Sequence, residues 1–166
     1  MIKPWHHGVI YQVTFFVTVL TGNLWSLLWS VFLLFTVVFK QPKAVLAFIG
    51  LVTLGGYAVD LIIQALGFIR FSHNTLLGPI WLFVLWIGFA NVIWHLAYKI
   101  SWLWLQILLG AVSGPLSYYG GAKLGAAEPM DLAGIVVYSL WWAVAFPAGI
   151  ALRNYWHRRW LKESEQ

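Results

Sequence analysis

One carboxylate, Asp60, lies well inside an apolar run, with Gly56 and Gln64 on the same helical face at i−4 and i+4. A charged group in hydrocarbon costs about 2.5–3.5 kcal/mol on insertion scales, so it needs a partner or a task. At its depth, about 10 Å below one end of its helix, the neighbouring runs would present Trp86, Tyr118 and Tyr138. Lys123 and Arg70 sit just above, with stems long enough to reach down. Two readings follow for this set of Asp60, Gln64, Trp86, Tyr118, Lys123 and Tyr138. One is a pair, Asp60–Lys123 or Asp60–Tyr118, that fixes helix register. The other is an outward-facing polar pocket that binds a ligand.

A second polar layer belongs to the opposite end. Gln12, His95 and Gln106 fall about 4–6 Å inside the ends of their helices, and Asn91 is one turn deeper than His95. Residues of this kind serve as hydrogen-bond glue between membrane helices, and a lone histidine there is more often glue than a metal ligand. A depth difference of about 14 Å between Asp60 and His95 sets aside a direct dyad. No Gly-rich phosphate loop, zinc-binding His-x-x-Glu-His or nucleophile elbow occurs. No second buried carboxylate stands beside Asp60, so metal-dependent hydrolysis, a metal site and a cofactor are not expected.

The elements that hold these groups are membrane helices. The 166 residues are 61% hydrophobic and 9% charged, with a mean hydropathy of +0.80. Soluble domains carry about 25% charged residues, which excludes that class. The net charge of +5 does not point to nucleic acid, because four of the ten basic residues cluster at Arg153, Arg158, Arg159 and Lys162 beside the last apolar run. Without cysteine there are no disulfides or thiolate sites.

The expected fold is an all-α polytopic membrane bundle of six spans, near 5–21, 24–39, 44–67, 79–98, 103–122 and 131–152, with a tail over 153–166. The count falls to five if the first two spans are one long helix. That helix would be about 46 Å long against a core of about 30 Å, so two helices broken at Gly22-Asn23 fit better. The first run follows Lys3 as a signal peptide would, but no A-x-A site follows it, and it is read as a retained span. With six spans, Lys3, Lys40, Lys43, Lys99 and the four basic residues after 152 share one side, against Arg70 and Lys123 on the other. The positive-inside rule then places both termini in the cytoplasm. Most of the tryptophans fall near span ends, whereas Trp86, Trp141 and Trp142 lie deeper, where packing or a ligand wall suits them.

The run 106–126 carries Gly110, Gly114, Ser117, Gly121 and Gly125 within an arc of about 80°. Such a stripe lets another helix approach closely, and the helix carrying Asp60 is the expected partner. The alternative is a ligand groove.

The chain resembles domain-of-unknown-function family 2878, small integral membrane proteins of bacteria. The resemblance rests on Asp60 with Leu66-Gly67, on Pro79-Ile80-Trp81, Leu85-Trp86 and His95, and on Trp142 with Pro147. Its most specific piece runs from Gly110 through Gly114-Pro115, Tyr118, Gly121 and Lys123 to Ala126. The family more often carries Arg at the position of Lys123. The resemblance implies a fold and no activity, and its members' frequent gene neighbours imply lipid-modifying enzymes as partners.

Two functions are therefore expected. The first is a protein of the bacterial cytoplasmic membrane that binds, moves or scaffolds a lipid or small amphiphile. The second is a membrane-embedded lipid-modifying enzyme with Asp60 or His95 as acid or base. Membrane lipids are the expected partners, and the oligomeric state is left open.

Overall fold

The computed structural model describes residues 3–35, 41–73, 75 and 77–164. Among them are five α-helices, α1 (Pro4–Leu33), α2 (Lys43–Ala65), α3 (Ile80–His95), α4 (Leu103–Lys123) and α5 (Leu132–Ser164). A 3-10 turn at Ala97–Lys99 follows α3. All but α4 are long and apolar enough to cross a membrane, and the chain is a membrane protein.

The expected six helices are not found as six separate elements. Residues 5–33, expected to form one span and most of a second, fall in α1, which breaks at Gly22 with φ 68° and ψ −160°. Only glycine occupies that region readily. In a straight helix Thr14 and Trp29 would be about 22 Å apart. Instead Trp29 Nε1 donates to Thr14 Oγ1 at 3.0 Å, so α1 doubles back as a hairpin. Thr14, Thr18 and Ser26 are fully buried, and each hydroxyl donates to the carbonyl four residues before it. A seam of small, internally satisfied side chains lets the two arms pack closely. The continuous 46 Å helix is thus ruled out; the end of the second expected span, 36–39, lies outside the described residues.

The other elements keep near their expected bounds, except that α5 continues to Ser164. The expected tail is therefore largely helix. Residues 153–163 contain no Gly or Pro, and six of the eleven are the helix formers Arg, Leu, Lys and Glu, which permits the extension.

Packing divides the bundle. The α1 hairpin lies on α3, which also carries α2, while α4 packs along α5. The two parts are joined by α2 and α3 against α5, and α1 makes no extensive contact with α4. The α2–α3 and α4–α5 connections are tied at one end. Helices α2 and α4 both stop at a Leu-Gly pair, Leu66-Gly67 and Leu124-Gly125, with the glycine at positive φ. Phe68 N–H reaches the Ile63 carbonyl, and Ala126 N–H that of Gly121, in the same C-capping geometry. The chain beyond each cap then pairs with the other, through Ser72 N–H to Ala126 O and Glu128 N–H to Arg70 O, both at 2.8 Å.

A cleft between two half-bundles, backed by a buried carboxyl

The carboxyl of Asp60 on α2 is fully buried. Trp86 Nε1 on α3 donates to its Oδ2 at 2.7 Å, and the Tyr118 hydroxyl on α4 lies 2.7 Å from both oxygens. Tyr138 of α5 lies with its ring centroid 4.0 Å from that of Tyr118. Its own hydroxyl is buried in the same locus without a well-formed hydrogen bond. Four helices thus meet at one carboxyl, which explains why each spends a polar side chain at this depth.

Gly56 makes the Trp86 contact possible. It lies one turn before Asp60, and a Cβ there would run into the six-membered ring of Trp86. With that space open, the Trp86 ring packs against α2 at Gly56 and its N–H reaches the carboxyl. On its other face Trp86 stacks on Trp142 at 5.3 Å and 5°, while Phe89 meets both rings edge-on. Offset and edge-on pairs of this kind contribute about 0.5–1.5 kcal/mol beyond burial.

The aromatic wall borders a cleft of about 330 Å³. The first arm of α1 contributes Gly8, Tyr11, Gln12, Phe15 and Val19. Across the gap stand Ser113, Gly114, Ser117, Tyr118 and Gly121 of α4. The floor is one face of α3 from Trp81 to Leu96, about 22 Å long, closed by Trp142. A shallow extension at Gly8, Gln12 and Leu96 continues to the outer surface of α1 between Trp5 and Val17. Asp60 lies behind the wall and does not line the cleft; Trp86 and Tyr118 face both the carboxyl and the cleft.

Of the residues expected around Asp60, the structure brings together Trp86, Tyr118 and Tyr138. Lys123 does not join them. It is exposed, and its Nζ lies 5.4 Å from the Tyr119 ring centroid. Both carboxyl oxygens are engaged by neutral donors, and Lys123, at the C-terminal end of α4, turns outward. Arg70 instead pairs with Glu128 at 3.8 Å, on the surface. Gln64 is also elsewhere, accepting from Phe71 N–H at 3.1 Å and holding the loop after α2.

The glycine stripe divides. A Cβ at Gly110 would strike the Trp142 backbone carbonyl, and one at Gly114 the Trp142 ring, so the close partner is α5 rather than α2. Ser117 and Gly121 face the cleft, where a Cβ at Gly121 would meet only Ala126 Cβ, at 3.9 Å. Gly125 is the cap after α4, not a packing residue.

The second polar layer is assembled differently from its expected form. His95 stacks on His7 of α1, with centroids 3.9 Å apart and an interplanar angle of 10°. Asn91 is buried beside the α1–α3 contact with Oδ1 unpartnered. Gln12 faces the cleft, and Gln106 donates to the Ile100 carbonyl at 2.7 Å, clipping the turn that precedes α4. His7 was absent from the expected layer, although its place one turn into the first helix puts it at the same membrane end as His95. Arg153, expected in the tail over 153–166, is buried against α3.

Among the described residues no cluster of three or more metal-ligating side chains occurs. No curated protein and no solved structure matches the chain. A match does extend over residues 4–148, and by it the chain belongs to the family described as "Protein of unknown function (DUF2878)".

Proposed function

We propose that the chain is an integral protein of the bacterial cytoplasmic membrane that takes the apolar part of a lipid or other amphiphile into the cleft between α1 and α4. The observation that carries this reading is the cleft itself. It runs along α3 for a length comparable to a lipid chain, its lining is mostly apolar with eight aromatic side chains among twenty residues, and it lies between α1 and α4, which make no extensive contact with each other. An apolar groove at this depth is filled most cheaply by hydrocarbon. The serines and Gln12 along its rim can orient a polar group.

Leucine at Gly121 projects into the gap without meeting backbone. The Gly121→Leu protein is expected to fold normally and to lose the lipid retained by wild type, read by native mass spectrometry from mild detergent. Equal retention by a folded Gly121→Leu protein rejects the cleft as the binding place.

One observation favours an enzymatic second reading. Tyr118 touches both the cleft and Asp60, so its hydroxyl is the group through which Asp60 would act on anything bound there. Tyr118→Phe then leaves retention intact and abolishes conversion of the bound lipid. Conversion that survives the substitution removes this reading.

The doubled-back α1 supports six crossings, with α4 as the fifth despite its polar face. Eight of the ten basic residues then share the side of both termini. A periplasm-active reporter is expected to stay silent when fused after Gln166 or before Met1. Activity from the C-terminal fusion overturns the orientation, and activity from the N-terminal one alone indicates an odd number of crossings.

A further inference from the structure

The end of the bundle opposite Asp60 gathers basic groups, one of them a buried arginine. Arg153 of α5 is buried, and its Nε donates to the Trp94 carbonyl at the end of α3, at 3.1 Å. Its guanidinium lies 3.9 Å from the Tyr98 ring centroid and 5.1 Å from that of Trp94. One Nη has a long contact of 3.4 Å to Asn154 Oδ1. It has no ion-pair partner among the described residues. On α5 the next acidic position in sequence is ten residues on, about 15 Å along the helix axis. Asp60, Glu128 and Asp131 belong to the other half of the bundle or its far end.

Two imidazoles lie near this cation, and a third, His7, stacks on one of them. His157 is one turn further along α5, with its ring 5.9 Å from that of Trp94. His95, stacked on His7, lies within electrostatic reach of Arg153, as does His157. Nδ1 of His7, Nε2 of His95 and Nδ1 of His157 are all buried without a hydrogen-bond partner. A buried polar atom left without a partner is unfavourable. Part of the guanidinium charge is offset by the α3 C-terminus, worth about half an elementary charge. The Nη groups and the imidazoles are left without an acceptor of matching number. Trp94, Tyr98, Trp102, Trp104, Trp156 and Trp160 cluster around this end, which marks the depth of lipid head groups.

We propose that this end of the bundle binds a phosphate group, of the kind carried by anionic membrane lipids, against the Arg153 guanidinium and the imidazoles of His95 and His157. The planar fork of Arg153, held by the Trp94 carbonyl and the Tyr98 ring, offers parallel N–H donors to two phosphate oxygens. A buried arginine matches this ligand better than a lysine, because it is more weakly hydrated and its direction is fixed. The site is independent of the cleft and stands whether or not the cleft holds lipid.

The test follows thermal unfolding of the full chain in detergent with added phosphatidylglycerol, phosphatidylcholine or inorganic phosphate. Phosphatidylglycerol is expected to raise the wild-type midpoint saturably, and phosphatidylcholine much less. In Arg153→Gln the concentration giving half of that rise should increase about tenfold, the loss of one charge-assisted pair. An equal saturable rise with inorganic phosphate supports the same chemistry with a soluble source. If Arg153→Gln fails to fold, Arg153→Lys keeps the charge without the fork and should still weaken the response. A phosphatidylglycerol response unchanged in either folded variant, or no response to any phosphate, overturns the site. So does a response that Gly121→Leu abolishes and Arg153 substitutions leave alone, since it would belong to the cleft.

Discussion

Leucine at Gly110 or Gly114 is expected to prevent α4 from docking on α5, whereas leucine at Gly121 leaves the bundle folded. All three substitutions raise intrinsic helix propensity, glycine being about 1 kcal/mol worse than alanine in a helix interior. Any loss must therefore come from packing. At Gly110 the obstacle is the Trp142 carbonyl, part of the α5 backbone, which cannot rotate aside. At Gly114 it is the Trp142 ring, pinned by its stack on Trp86 and by Phe89. Overpacking of a rigid contact typically costs about 1–3 kcal/mol and occasionally more, and both positions belong at or above the top of that range. Gly121 has only Ala126 Cβ nearby, and its leucine should shift the unfolding midpoint little. Thermal unfolding in one detergent, with dispersity by size exclusion, decides the matter. Comparable midpoints for all three proteins would mean that α4 and α5 do not meet as described.

The helices and the depth of their polar groups were legible because hydrophobic runs and basic flanks report directly on the bilayer. Trp86, Tyr118 and Tyr138 were placed beside Asp60 by arithmetic on helical rise alone, and the structure brings all three to it. Which helix packs on which was not legible, since glycine spacing marks a close contact without naming the partner. The stripe on α4 meets α5, not the Asp60 helix, and its last glycine is a cap. Charge complementarity points to Lys123, yet two neutral donors engage both carboxyl oxygens instead. A readable signal was missed in α1. Thr14, Thr18, Gly22, Ser26 and Ser30 recur every four residues about the break, and they form the buried seam of the hairpin. Arg153 was beyond reach for a different reason. Basic composition after residue 152 resembles a solvated tail, and only the continued helix shows that one arginine turns back onto α3.

Removing the Asp60 carboxyl should cost more than removing either of its donors. Hydrogen bonds between membrane helices average only about 0.6 kcal/mol, because the unfolded chain in the membrane also finds partners. Tyr118→Phe deletes one donor and leaves Trp86 bonded to the carboxyl, so a loss of about 1 kcal/mol is expected. Asp60→Ala instead strands two buried donors on different helices and opens a void between them, which should cost about 3 kcal/mol or more. Asp60→Asn keeps one carbonyl acceptor but turns an amide toward a donor, and belongs between the two. Lys123→Gln is the control, expected near zero because Lys123 points outward over Tyr119. Combining Asp60→Ala with Tyr118→Phe removes one of the stranded donors, so the double variant should lose less than the sum of the singles. The readout is thermal unfolding in detergent, with tryptophan emission reporting whether Trp86 keeps its buried partner. Strict additivity in that cycle would mean that the two side chains do not interact. A Lys123→Gln loss equal to that of Tyr118→Phe would mean that the carboxyl is held by a cation after all.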